Sequence, residues 1–85
     1  MSQQIETAER LDELREIVSD VLELEPGELT GTGDFLDEYG ADSLRAIEIL
    51  ARIDKKYKIE IPQMELPRMR NLNTVYEVVA TYADW

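Results

Sequence analysis

The chain has 85 residues, no cysteine, no histidine and a formal net charge of −10. That length makes one domain spanning residues 1–85, and the missing cysteine excludes a disulfide framework or a cysteine-built zinc site. The acidic balance argues against nucleic acid, whose binding rests on neutralising phosphates with basic side chains.

The charge is unevenly spread. Residues 1–41 hold twelve acids against two arginines, residues 42–57 carry a balance of +1, and residues 58–85 a balance of −1. A field concentrated in the first half suits partners with basic surfaces. No early apolar run resembles a signal peptide and none is long enough to span a membrane, so a soluble, cytoplasmic, monomeric protein is expected.

Residues 1–4 are polar and are expected to fray. A first helix reads from about Ile5 to Leu24, with Leu11, Leu14, Val18, Val21 and Leu22 at helical spacing and Pro26-Gly27 as its stop. Residues 25–41 read as a long ordered loop, fixed by Leu29, Phe35, Leu36 and Tyr39 folding onto the helices. A second helix is predicted from about Ser43 to Tyr57, its buried stripe formed by Leu44, Ile47, Leu50 and Ala51, with Tyr57 as a candidate at its end. Ile59 to Pro62 is an extended connector, because a residue before proline avoids the helical region. A short helix or turn follows over Gln63–Met69. The last helix runs from about Asn71, its cap, to Tyr82, with Leu72, Val75, Val78, Val79 and Tyr82 facing the core and Thr74 with Glu77 as a competing capping box. The sum is an all-α bundle of three main helices plus one short helix.

The segment from Asp34 to Gly40 invites a calcium-loop reading. The pattern fails: position 3 from Asp34 is Leu36, and the glycine falls one place late. Catalysis is equally poorly provided for. With no histidine to serve as general base, and Asp42 lacking an orienting partner, Ser43 has nothing to activate it. Serine at a helix start is ordinarily a cap, contributing about 0.5–2 kcal/mol. The same position also suits a phosphate ester, lying at the positive end of the helix dipole.

The stretch Asp34-Phe-Leu-Asp-Glu-Tyr-Gly-Ala-Asp-Ser43-Leu-Arg-Ala-Ile-Glu48 resembles the attachment region of acyl carrier proteins, and Ile59-Glu60-Ile61-Pro62 is similar to that family's connector. The resemblance covers about residues 8–83. It implies that Ser43 receives 4′-phosphopantetheine from a phosphopantetheinyl transferase using coenzyme A, and that the arm's thiol then holds an acyl group as a thioester. It implies Asp42 and Leu44 as recognition residues beside the serine, and the second helix as the docking surface through Leu44, Arg45, Glu48, Ile49 and Arg52. An acyl-chain groove would be lined by Met64, Leu66 and Met69. The basic residues Arg45, Arg52, Lys55 and Lys56 on the second helix, with Pro67, Arg68 and Arg70 beyond it, depart from the bacterial fatty-acid subgroup. They point to a non-catalytic carrier of the polyketide type, serving acyltransferase, ketosynthase or acyl-loading enzymes, and the short chain without a flanking catalytic domain is expected to be free-standing. Two alternatives remain at this level: a peptidyl or aminoacyl carrier with the same arm, and an acidic helical adaptor in which Ser43 only caps.

Overall fold

The computed structural model describes residues 2–85, with side chains from Ala8 onward. Helix α1 spans Ser2–Leu22, α2 Phe35–Tyr39, α3 Ser43–Tyr57 and α4 Leu72–Ala83; 3₁₀ turns cover Pro26–Glu28 and Gln63–Arg68. The fraying expected of residues 1–4 falls, for Met1, outside the described residues; the backbone is helical from Ser2.

One apolar core joins the three long helices. Leu14, Val18 and Val21 of α1 meet Ile49, Leu50 and Ile53 of α3, and Leu72, Val75, Val78 and Val79 of α4 complete the centre. Each such side chain contributes roughly 1.5–3 kcal/mol on full burial. The connections add to this core. Leu29, Phe35, Ala41, Ile61 and Met69 are buried in the same cluster.

Helix α1 ends earlier than Pro26-Gly27. Glu23 adopts a left-handed conformation, φ 61°, and the Leu24 N–H donates back to the Ser19 carbonyl at 2.8 Å, closing the last turn. The last helix is bounded as expected by Asn71, whose side chain accepts the Thr74 N–H at 2.8 Å. The reciprocal partner of Asn71 is Thr74 itself, whose hydroxyl accepts the Asn71 N–H at 3.1 Å. Tyr82, expected in the core, stands exposed and donates its hydroxyl to Glu65 at 2.6 Å. Residues 59–62 form no strand; Asp54 anchors them by accepting the Ile59 N–H at its carbonyl and the Ile61 N–H at its carboxylate.

The long first loop is more structured than its sequence indicates. Tyr39 organises it: its hydroxyl accepts the Thr30 N–H at 3.0 Å and donates to the Glu28 carbonyl at 3.2 Å. Gly33 is needed at this point, since a Cβ there would lie 2.6 Å from the Thr30 hydroxyl and 2.8 Å from that of Tyr39. Within the loop α2 is bracketed by its caps. Asp34 accepts the N–H groups of Leu36 and Asp37, and Gly40 ends the turn at φ 67°. Phe35 is buried as expected. Leu36 is not: it is 61% exposed, because successive helical residues stand about 100° apart and this turns it off the face that buries Phe35.

Candidate functional site

Ser43 is the first helical residue of α3, and the cap is its neighbour. Asp42 has extended backbone geometry and its carboxylate accepts the Arg45 N–H at 3.0 Å. The expectation of Ser43 as a cap is therefore corrected: Asp42 takes that role. The Ser43 side chain is exposed and its hydroxyl has no partner among the described residues. The one carboxylate beside it is committed to the helix end. What remains is a free hydroxyl on a rigid turn, next to the backbone N–H groups that open every helix without an intrahelical acceptor.

Beside Ser43 opens a cleft of about 600 Å³ between α2, α3 and the 3₁₀ turn at Gln63–Arg68. Phe35, Ala46, Ile49, Leu66 and Met69 supply its apolar walls. Two of the three groove residues expected from the sequence, Leu66 and Met69, are brought together here. Met64 is not: it does not line the cleft and is 79% exposed. Phe35, Ala46 and Ile49 went unrecognised as wall residues, the first because its loop hid a helix, the others because the buried face of α3 was misplaced by sequence periodicity.

The expected docking residues divide. Leu44 is 73% exposed on the turn that carries Ser43, and Ile47 is exposed one turn on. Ala51 is exposed too, so the stripe Leu44, Ile47, Ala51 faces solvent, with only Leu50 of the expected set in the core. Ile49 is 1% exposed, which corrects its assignment as a surface contact: it is core and cleft wall. Arg45 reaches back to α1, donating to the Val21 carbonyl at 2.9 Å and pairing with Glu23 at 3.4 Å and Glu48 at 3.8 Å. Arg52 pairs with Asp20 of α1 and, at 3.8 Å, with Glu48. Both arginines thus tie α3 to α1, and Glu48 sits between them.

On the other rim, the Asp34 carboxylate meets the Arg70 guanidinium at 2.6 Å, and the Phe35 N–H donates to the Arg70 carbonyl at 2.7 Å. The Asp34 carboxyl is held below the usual carboxylate range, first by the Asp37 N–H, then by the Leu36 N–H and by Arg70, against the opposing effect of desolvation. The 3₁₀ wall is fastened to α4 in the same manner. Glu65 accepts the Tyr82 hydroxyl and pairs with Arg68 at 3.0 Å, which lowers the Glu65 carboxyl and raises the Tyr82 phenol.

A free serine hydroxyl on a capped helix start, opening on an apolar cleft, fits a covalently attached pantetheine arm. Residues 12–81 match the family described as "Phosphopantetheine attachment site". Polyketide-8 synthase acyl carrier protein 1 of Streptomyces avermitilis is 50% identical over 77 residues, 91% of this chain and 92% of that one. Polyketide-8 synthase acyl carrier protein 2 of the same organism is 37% identical, covering 88% of this chain and 86% of its own length. A chain in the solved structure described as "The ishigamide ketosynthase/chain length factor" superposes with a TM-score of 0.75 at 38% identity, over 91% of this chain and 97% of that one. The chain therefore belongs to the acyl carrier protein family, as a non-catalytic carrier of polyketide biosynthesis with covalent 4′-phosphopantetheine as its cofactor.

Proposed function

We propose that Ser43 is the residue that bears the arm, transferred to it from coenzyme A by a phosphopantetheinyl transferase. One observation carries this reading: the Ser43 hydroxyl is exposed, unengaged by any described residue and placed at the rim of the apolar cleft. The positive end of α3 and the unpaired N–H groups of its first turn favour a phosphodiester there. Asp42 holds that turn in place by its cap, and Leu44 projects beside it; these are the residues a transferase would recognise. When bound, the arm supplies the thiol that holds acyl groups as thioesters, a reactive sulfur that a chain without cysteine does not otherwise possess.

The cleft walls Phe35, Ile49, Leu66 and Met69 would exclude water from an acyl chain lying against them. The exposed apolar residues Leu44 and Ile47 of α3, with Leu36 of α2, form the docking face, and Glu48 contributes its charge. Partner ketosynthases, acyltransferases or acyl-loading enzymes would meet that face. The similarity to a chain from a ketosynthase/chain length factor structure favours the first of these. Among the described residues no helix is long and apolar enough to cross a membrane.

The decisive experiment is intact mass after incubation with coenzyme A and a promiscuous phosphopantetheinyl transferase. The wild type gains one phosphopantetheine and Ser43→Ala gains none. Continued modification of the alanine variant overturns the assignment.

A further inference from the structure

The apolar cleft beside Ser43 is bordered on one side by a second, open space. A second, polar cleft of about 470 Å³ adjoins it, lined by Arg68, Asn71, Thr74 and Glu77. Asp34, Pro67 and Arg70 line both. The two spaces are therefore separated by the Asp34–Arg70 ion pair and the ring of Pro67.

The backbone around this pair is pinned. The Arg70 carbonyl accepts the Phe35 N–H, and the Arg70 N–H donates to the Thr74 hydroxyl at 3.1 Å. The Asp34 carboxylate is fixed from below, its Oδ1 accepting the N–H groups of Leu36 and Asp37 while Oδ2 takes Arg70. The guanidinium end of Arg70 is the movable part. Its side chain is more than half exposed, and exposed ion pairs hold weakly. Main-chain bonds thus keep the two walls together, while the Arg70 side chain stands at the boundary between the clefts.

We infer that Arg70, held by Asp34, is the length stop of the acyl cleft: it ends the apolar space beside Ser43 and so limits how much of a thioester-bound acyl chain is sheltered. The inference rests on Ser43 bearing the arm. A chain that fits within the apolar cleft is covered to its end. A longer one meets Arg70 and leaves its remaining methylenes in water. Removing the guanidinium joins the two clefts and extends the shelter. Pro67 remains in place, so the passage keeps its side wall.

The test loads the protein with butanoyl, octanoyl and dodecanoyl coenzyme A through a promiscuous transferase. Intact mass is read first: a wild type that takes up no acyl-pantetheine overturns the Ser43 reading itself. On loaded protein, two quantities are measured, the hydroxylamine half-life of the thioester and the backbone amide shifts on acylation. In the wild type the half-life rises with chain length and then levels off, and the Asn71, Thr74 and Glu77 amides do not respond to length. In Arg70→Ala the levelling moves to longer chains, and those three amides shift with the dodecanoyl chain. Each two further methylenes sheltered would change the ratio of protected to exposed chain by roughly tenfold. Asp34→Asn keeps a competent helix cap while releasing Arg70, and it should move the same readouts in the same direction. Identical length profiles in the wild type and both variants, with all three loaded, overturn the length stop while leaving the attachment site intact.

Discussion

The Asp42 carboxylate accepts the Arg45 N–H at 3.0 Å, which places the cap of α3 one residue ahead of Ser43. The helix cap and the proposed attachment thereby fall on different side chains. Ser43→Ala should leave the denaturation midpoint nearly unchanged, within about 0.5 kcal/mol, while abolishing modification. Asp42→Ala should cost about 0.5–2 kcal/mol in a denaturant melt. Equal losses in the two variants would return the cap to Ser43.

Phe35 and Leu36 are adjacent in sequence and opposite in environment. Phe35→Ala empties a buried site at the junction of α2 with the bundle and should cost roughly 3–5 kcal/mol. Leu36→Ala should fall within about 0.5 kcal/mol of wild type. Its effect should appear in kcat/KM with the pathway ketosynthase. If Leu36→Ala is destabilising and ketosynthase turnover unaltered, the exposed face is not a docking face.

Arg45 and Leu44 separate charge from apolar contact. Arg45→Glu removes the donor to the Val21 carbonyl and sets a carboxylate beside Glu23 and Glu48, so a stability loss of roughly 1–2 kcal/mol is expected. Leu44→Ala should leave stability within about 0.5 kcal/mol of wild type and weaken productive docking by about 1 kcal/mol or more. Thermal melts paired with ketosynthase kinetics on both variants read the two effects independently. A neutral Leu44→Ala in those kinetics would remove Leu44 from the docking face.

The Glu65–Tyr82 hydrogen bond predicts two pH limits for the wall of the cleft. Glu65 is lowered in the fold, first by the Tyr82 hydroxyl and then by Arg68. Its contribution is complete above the ordinary carboxylate range and is lost as pH falls below about 4, through the lowered folded value. Asp34, lowered first by the Asp37 N–H, behaves in the same way at the opposite rim. Tyr82 is raised, first by its bond to Glu65. Its contribution is therefore complete below about pH 10 and is lost as pH rises through the raised folded value. Amide shifts of Leu66 and Met69, followed between acid and alkaline limits, should move at both ends in the wild type. Tyr82→Phe should lose the alkaline step. Persistence of that step would assign it elsewhere, Tyr57 being the other phenol raised, by burial first and then by Glu13.

The bundle was legible because its three long helices carry their own punctuation. Ser43–Tyr57 was bounded correctly, and Leu72, Val75, Val78 and Val79 fall where their spacing places them. The rotation of α3 was not legible. That helix has apolar residues on two faces, Leu44, Ile47 and Ala51 on one and Ile49 and Ile53 on another, and periodicity alone does not say which is inward. The choice is made by tertiary packing: Ile49, Leu50 and Ile53 bury against α1 and α4 at roughly 1.5–3 kcal/mol each, and in that orientation Arg45 and Arg52 reach the end of α1. The five residues of α2 were too few to show a period, although Asp34 and Gly40 mark its two ends. Cleft walls drawn from α2 and from the hidden face of α3 were missed for the same two reasons.

With Asp42 as the cap, α3 is complete before anything is attached to Ser43. If Ser43 bears the arm and these exposed residues form the docking face, a bare chain would present Leu36, Leu44 and Ile47 much as a loaded one does, and a partner reading this face alone would not distinguish them. Bare chains would occupy partners without delivering cargo. The output of such a system would then depend on the fraction of carrier that bears the arm as well as on its amount, and excess unmodified carrier would act as a competitive inhibitor of its own pathway.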